Sequence, residues 1–252
     1  MIGIFDSGSG GLTVAKAIRA RMPSADILYF GDIKNAPYGE RPRAELSQLT
    51  IEGLSFLKSR GASRIVSACN SVSASLAVSL FDALTLAPAD LIEMVGPTVS
   101  CLRGSEARLV LAATPATIDS RIYQDAFAML GKEITALPLP GLAGAIEAGK
   151  SEAEIERIIR AAFKGIAPGS FDALVLACTH YPLASGAFRA VIGEGPILFD
   201  PAEAVAARVE QNWWPQEVGE GSARLLISKE SAPFRQFAAA ALGGALEIKV
   251  LA

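Results

Sequence analysis

Six short apolar runs, residues 2–5, 27–30, 65–68, 109–112, 174–177 and 197–199, punctuate this chain, and each is too short for a helix and too uniformly apolar for a surface strand. Between them lie longer stretches with apolar residues at three- and four-residue spacing: 12–22, 43–60, 72–84, 118–130, 152–164 and 202–212. These read as helices, several of them preceded by Gly, Ser, Thr or Pro suited to a helix start. Buried strands that alternate with amphipathic helices can cover both strand faces only in parallel sheets joined by right-handed crossovers. The expected fold class is therefore α/β. At 252 residues, 51% of them apolar and 19% charged, the chain is compact and long enough for two lobes of about a hundred residues each.

In such folds the working residues gather beyond the carboxyl ends of the strands, where the loops open toward helix N-termini. Two strand ends here echo one another. Arg64-Ile-Val-Ser-Ala-Cys69-Asn70-Ser71 and Ala173-Leu-Val-Leu-Ala-Cys178-Thr179-His180 both run from a strand into Ala-Cys and two polar residues. A fainter echo pairs residues 2–7 with 109–114, each a strand leading to a hydroxyl-bearing loop. Two similar lobes, related by a pseudo-two-fold, would turn equivalent strand ends toward one cleft. A thiol at a strand end before a helix feels unpaired backbone N–H groups, which favour thiolate; it can equally be a small packing residue. Two cysteines in matching contexts favour chemistry. Moving a weakly acidic Cα proton from one face of a carbon to the other takes two placed acid–base groups, and a thiolate with a thiol supplies them. Cys101 lacks this context and reads as an ordinary cysteine.

The other signals are weaker alone. Asp6-Ser7-Gly8-Ser9-Gly10-Gly11 links a strand to a helix and could cradle a phosphate or carboxylate on its amides, but it lacks the ending of a P-loop and the spacing of a dinucleotide fingerprint. Asp6 itself could orient a base or cap the turn. The segment 35–40, with Tyr38 and Gly39, is a Pro/Gly turn. His180 is the only histidine, so a multi-histidine metal site is excluded; beside Cys178 it is a candidate acid–base group or a packed residue. Cys178 and His180, two apart on one segment, are poorly placed for acyl transfer as nucleophile and base. A net charge of -3 with scattered Lys and Arg offers no surface for nucleic acid. No window supplies the roughly 20 apolar residues of a membrane span. The start at residues 2–5 is strand-like rather than a signal peptide, and three cysteines form no even disulfide set, so the expected location is the cytoplasm.

Taken in order, Gly3 to Leu12, Tyr29 to Asp32, Pro37-Tyr38-Gly39, Ala68-Cys69-Asn70-Ser71, Ala113-Thr114 to Thr117 with Ser120, Ala177-Cys178-Thr179-His180-Tyr181-Pro182-Leu183 and Phe199 to Val205 resemble the glutamate racemases across nearly the whole chain. The resemblance implies cofactor-free interconversion of L- and D-glutamate, with no metal, supplying D-glutamate for bacterial peptidoglycan. It makes Cys69 and Cys178 the catalytic pair, assisted by Asp6 and His180. Substrate would be held by Asp6, Ser7, Tyr38, Gly39, Asn70, Ser71, Thr179 and His180. One lobe would comprise residues 1–95 plus 206–252 and the other 96–205, with the active site in the cleft between them, and the protein would be a homodimer. Ser71 stands where the family's first cysteine motif usually has threonine, and residues 95–99 and 138–142 differ from the family's usual forms. An aspartate racemase, which typically has glutamate where His180 stands, and a non-catalytic contact with DNA gyrase are the alternatives the resemblance carries.

Overall fold

The structure is a computed structural model that describes residues 1–76, 86–243 and 246–251. Its ten strands are β1 (Ile2–Asp6), β2 (Ile27–Gly31), β3 (Arg64–Ser67), β4 (Leu91–Ile92), β5 (Leu109–Ala113), β6 (Ile134–Pro138), β7 (Ala173–Ala177), β8 (Ile197–Phe199), β9 (Ala223–Ile227) and β10 (Glu247–Val250). They form two sheets, ordered β10-β9-β2-β1-β3-β4 and β6-β5-β7-β8, and every strand pairing in both is parallel. The order β2-β1-β3-β4 inside the first sheet is repeated by β6-β5-β7-β8 in the second, so β3 and β7, the strands that end at the two cysteines, hold equivalent places.

Each sheet is buried on both faces. Successive residues of β1 alternate between two apolar clusters, Ile2 and Ile4 facing one and Phe5 the other. Along β5, Val110 and Ala112 alternate in the same way with Leu109, Leu111 and Ala113. The helix Pro201–Trp213 starts at an Asp200 cap, whose side chain accepts from the Ala202 amide, and buries Ala202, Val205, Ala206, Val209 and Trp213 on the first sheet. Phe237, on the helix Ala232–Leu242, packs against the cores of both sheets and ties the two together.

The helix over 118–130 is in fact two. Pro115–Asp119 and Ile122–Ala128 are separated at Arg121, which adopts φ 59°, a left-handed conformation no α-helix continues through. The helix expected over 72–84 begins earlier, as Asn70–Ser73, and its later part lies outside the described residues. Among the described residues, no helix is long and apolar enough to cross a membrane.

Candidate active site

Register decides what meets at the carboxyl ends. Phe5 of β1 lies opposite Ser67 of β3, and the Ala68 amide donates to the Phe5 carbonyl at 2.8 Å, so Asp6 and Cys69 leave the first sheet as neighbours. In the second sheet Ala113 lies opposite Ala177, which sends Thr114 and Cys178 out side by side. The two strand-end pairs face one narrow, largely enclosed cleft. Cys69, Asn70, Ser71, Ser7, Tyr38 and Gly39 line it from one side, with Cys178, Thr179 and His180 on the other. Nine of the ten residues expected at the site are thus brought together. Asp6 stands just behind the wall, fully buried, accepting from the Gly8 amide at 2.9 Å and the Thr179 hydroxyl at 3.0 Å.

The Gly-rich loop does cradle carboxylates, but they belong to the protein. The Gly8 amide is spent on Asp6, and Ser9 gives both its amide and its hydroxyl, each at 2.8 Å, to Glu147. Glycine is required at Gly10, where a Cβ would lie 2.4 Å from Thr179 Oγ1 and 2.7 Å from the His180 backbone nitrogen. Glu147 ends the helix Leu142–Glu147, which packs in the second sheet's core, and meets His180 on that same side, with His180 Nε2 2.5 Å from Glu147 Oε2. The other imidazole nitrogen, Nδ1, is 3.9 Å from Cys178 Sγ. Glu147 was not singled out from the sequence, because no strand end or motif marks it. The one signal is a lone carboxylate closing an apolar helical run.

The two thiols have different surroundings. Burial pushes the Cys69 thiol up to about 12, and the negative charge of Asp6 pushes in the same direction. The expected stabilisation of thiolate by a helix N-terminus is outweighed here, since the following helix is the single turn Asn70–Ser73 and contributes little dipole. Cys69 Sγ lies 3.7 Å from Ser7 Oγ. Across the cleft, burial opposes charge on His180, but its contacts with Cys178 and Glu147 prevail and hold its proton well above the ordinary imidazole range. Burial raises Glu147, yet its hydrogen bond to His180 and those from Ser9 outweigh that and leave it below its usual value. Burial is also the largest influence on Asp6 and lifts it above the usual carboxylate range, against the pull of His180 and the Gly8 and Gly11 amides.

The remaining lining is polar and well tied. Tyr38 donates to Asp32 at 2.7 Å, and Asp32 also accepts from Asn35 and Ser228. Ser71, Thr114 and Thr117 form a hydroxyl cluster across the two lobes, with Ser71 and Thr114 3.0 Å apart. Gly39 fits closely over Thr114, where a Cβ would come within 2.4 Å. A wider groove lies at the opposite, amino-terminal edge of the second sheet, among Arg108, Phe163 and Phe171. It brings together no comparable set of acid and base groups, so size does not make it the site.

The comparisons with known proteins converge on this cleft's architecture. A family model described as Asp/Glu/Hydantoin racemase matches residues 12–209. The chain is 38% identical over 211 residues to a glutamate racemase of a Parafrankia species, covering 81% of this chain and 75% of the relative. To the glutamate racemase of Aquifex aeolicus it is 33% identical over 251 residues, 99% of this chain and 96% of the relative. Its fold superposes on glutamate racemase isoform RacE1 of Bacillus anthracis with a TM-score of 0.88 at 26% identity, over 100% of this chain and 97% of that one. The Francisella tularensis glutamate racemase in complex with D-glutamate gives 0.86 at 25% identity over the same shares. With its strand-end thiols, its two parallel sheets and these relatives, the chain belongs to the Asp/Glu/hydantoin racemase family and, within it, to the glutamate racemases.

Proposed function

We propose that this protein interconverts L- and D-glutamate without a cofactor, using Cys69 and Cys178 as the two proton-transfer groups. The observation that carries the reading is the placement of one thiol from each sheet on one cleft, each beside a titratable group of its own. One sulfur, as thiolate, takes the α-proton and keeps it as S–H. The carbanion then receives a proton from the other thiol on its opposite face, which leaves that sulfur as thiolate, and proton exchange of the two sulfurs with solvent restores the starting state for the next turnover. A thiol as weakly acidic as Cys69 has a correspondingly basic thiolate, which suits removal of a proton from carbon. On the other side His180, held protonated by its contacts with Cys178 and Glu147, places a cation beside Cys178.

Glutamate as substrate is supported by the named activity of the relatives, and an amino acid would be held by Asp6, Ser7, Tyr38, Gly39, Asn70, Ser71, Thr179 and His180. Supply of D-glutamate to peptidoglycan, a cytoplasmic location, assembly as a homodimer and the lobe division 1–95 plus 206–252 against 96–205 belong to the same reading. The test is to incubate the purified protein, with nothing added, with L-glutamate and separately with L-aspartate in deuterated water. Loss of the α-proton resonance and decay of the circular dichroism signal for glutamate alone is the expected result. Turnover of aspartate instead overturns the substrate, and turnover of neither overturns the activity.

A further inference from the structure

Tyr123 takes no part in the proton transfers, yet it reaches into the cleft wall from behind. It lies on the helix Ile122–Ala128, is fully buried in the second sheet's apolar cluster with Val95, Phe127 and Val175, and sends its hydroxyl across the lobe boundary. There it donates to Asn70 Oδ1 at 2.6 Å. Asn70 directly follows Cys69, lines the cleft and is 2% exposed. The other branch of its amide, Nδ2, is buried and has no protein partner among the described residues.

A buried amide donor left unpaired is costly, and in native proteins such groups are nearly always satisfied, so this one calls for a partner that enters the cleft. The side-chain amide has two orientations that exchange its oxygen and nitrogen. Only one offers the cleft a donor, and the phenol selects it. Burial, with the charge of Glu93 acting in the same direction, keeps Tyr123 protonated, so it donates and requires the amide oxygen.

We propose that Tyr123 is a positioning residue for substrate: by donating to Asn70 Oδ1 it turns Asn70 Nδ2 toward the cleft, where Nδ2 donates to a carboxylate of the bound amino acid. The identity of that ligand rests on the racemase reading; the orientation of the amide does not. Two kinds of experiment separate them. With L-glutamate as probe, Tyr123→Phe keeps the ring and removes the donor. It raises KM roughly tenfold, the size of one charge-assisted hydrogen bond, with a much smaller change in kcat. In an Asn70→Ala background the same substitution has no further effect on KM. Asn70→Asp keeps the acceptor for Tyr123 but loses the donor, and raises KM more than tenfold even if Tyr123→Phe fails to fold. An unchanged KM in Tyr123→Phe, or an equal rise with and without Asn70, overturns the proposal. The second readout needs no activity. The Asn70 side-chain amide resonances, identified by their disappearance in Asn70→Ala, shift and broaden in Tyr123→Phe; if they stay in place, the amide is held by something else. Failure of the wild-type protein to racemise glutamate, with those resonances moving as expected, removes the substrate assignment alone.

Discussion

On the first-sheet side of the cleft the thiol of Cys69 sits beside an anion, Asp6; on the second-sheet side the thiol of Cys178 sits beside a cation, His180, which a carboxylate from elsewhere keeps charged. The backbones around the two are alike, with a strand in the same place in its sheet, then Ala, Cys and two polar residues. What differs is side-chain charge. A repeated frame sets two sulfurs on one cleft, and unrepeated neighbours give each a different charge environment. The proposed two-base scheme tolerates that asymmetry because its two proton transfers would share one carbanion, so each half need only match that intermediate.

The most severe way to break the comparison is to delete either sulfur. Cys69→Ala and Cys178→Ala are each expected to lower racemisation by at least about 10³-fold, the scale of one positioned acid–base group, followed as decay of optical signal. Full activity in either variant sinks the two-base scheme. Next in size are the neighbours, Asp6→Asn and His180→Gln, each expected to cost roughly 10- to 100-fold. The enantiomers are equally stable, so kcat/KM must fall equally from both sides, and the asymmetry shows elsewhere. With α-deuterated substrates, Asp6→Asn enlarges the isotope effect on the enantiomer whose proton Cys69 takes, and His180→Gln enlarges it on the other. Equal isotope effects from both enantiomers in both variants mean that the two sides are functionally the same.

Glu147→Gln sharpens the comparison by pH. The raised His180 holds stabilisation that is complete below its ordinary value of 6.5 and is lost as pH climbs through its folded value. The lowered Glu147 holds stabilisation that is complete above 4.5 and is lost as pH falls through its folded value. The gap in melting temperature between wild type and Glu147→Gln is therefore widest between pH 4.5 and 6.5 and narrows in alkali. Activity follows the imidazole's charge: with the carboxylate gone, His180 loses its proton at lower pH, so the deficit of the variant grows from about pH 6 to pH 8. A deficit that is flat across that range shows that the imidazolium is not what Glu147 supports.

Much of this arrangement was legible beforehand, for reasons that particular residues make plain. Five of the six expected strands are central runs, such as Leu109–Ala113 and Ala173–Ala177, whose burial on both faces leaves a contiguous apolar signature, and the sixth, β8, is an apolar edge strand. The other four are β4, only two residues long, β10, whose side chains are largely exposed, β6, an edge strand with Leu137 alone fully buried, and β9, partly exposed at its start. The site residues at strand ends were visible because a strand end is a sequence position. Glu147 and Tyr123 were invisible because they arrive sideways, by helix packing, and nothing within four residues of either records what it touches. The break at Arg121 escaped notice because apolar spacing runs straight through it; only the backbone, with Ser120 Oγ accepting from the Ile122 amide, registers the turn.

The smallest expected effect serves as the control for the largest. Cys101, at the end of the helix Val95–Cys101, is exposed and belongs to neither half of the cleft, whereas Cys69 and Cys178 are 5% and 6% exposed. Reaction of a thiol with an alkylating agent needs both access and thiolate. Burial denies access to both cleft sulfurs, and at Cys69 it also suppresses thiolate. Iodoacetamide at neutral pH should therefore modify Cys101 first, as read by peptide mass, with racemisation intact at one label per chain. Cys101→Ser should leave activity unchanged and stability within about 0.5 kcal/mol, as for other surface replacements. Loss of activity in step with that first label, and its absence in Cys101→Ser, would place chemistry at a third thiol and dissolve the distinction between a cysteine framed by a strand end and one that is not.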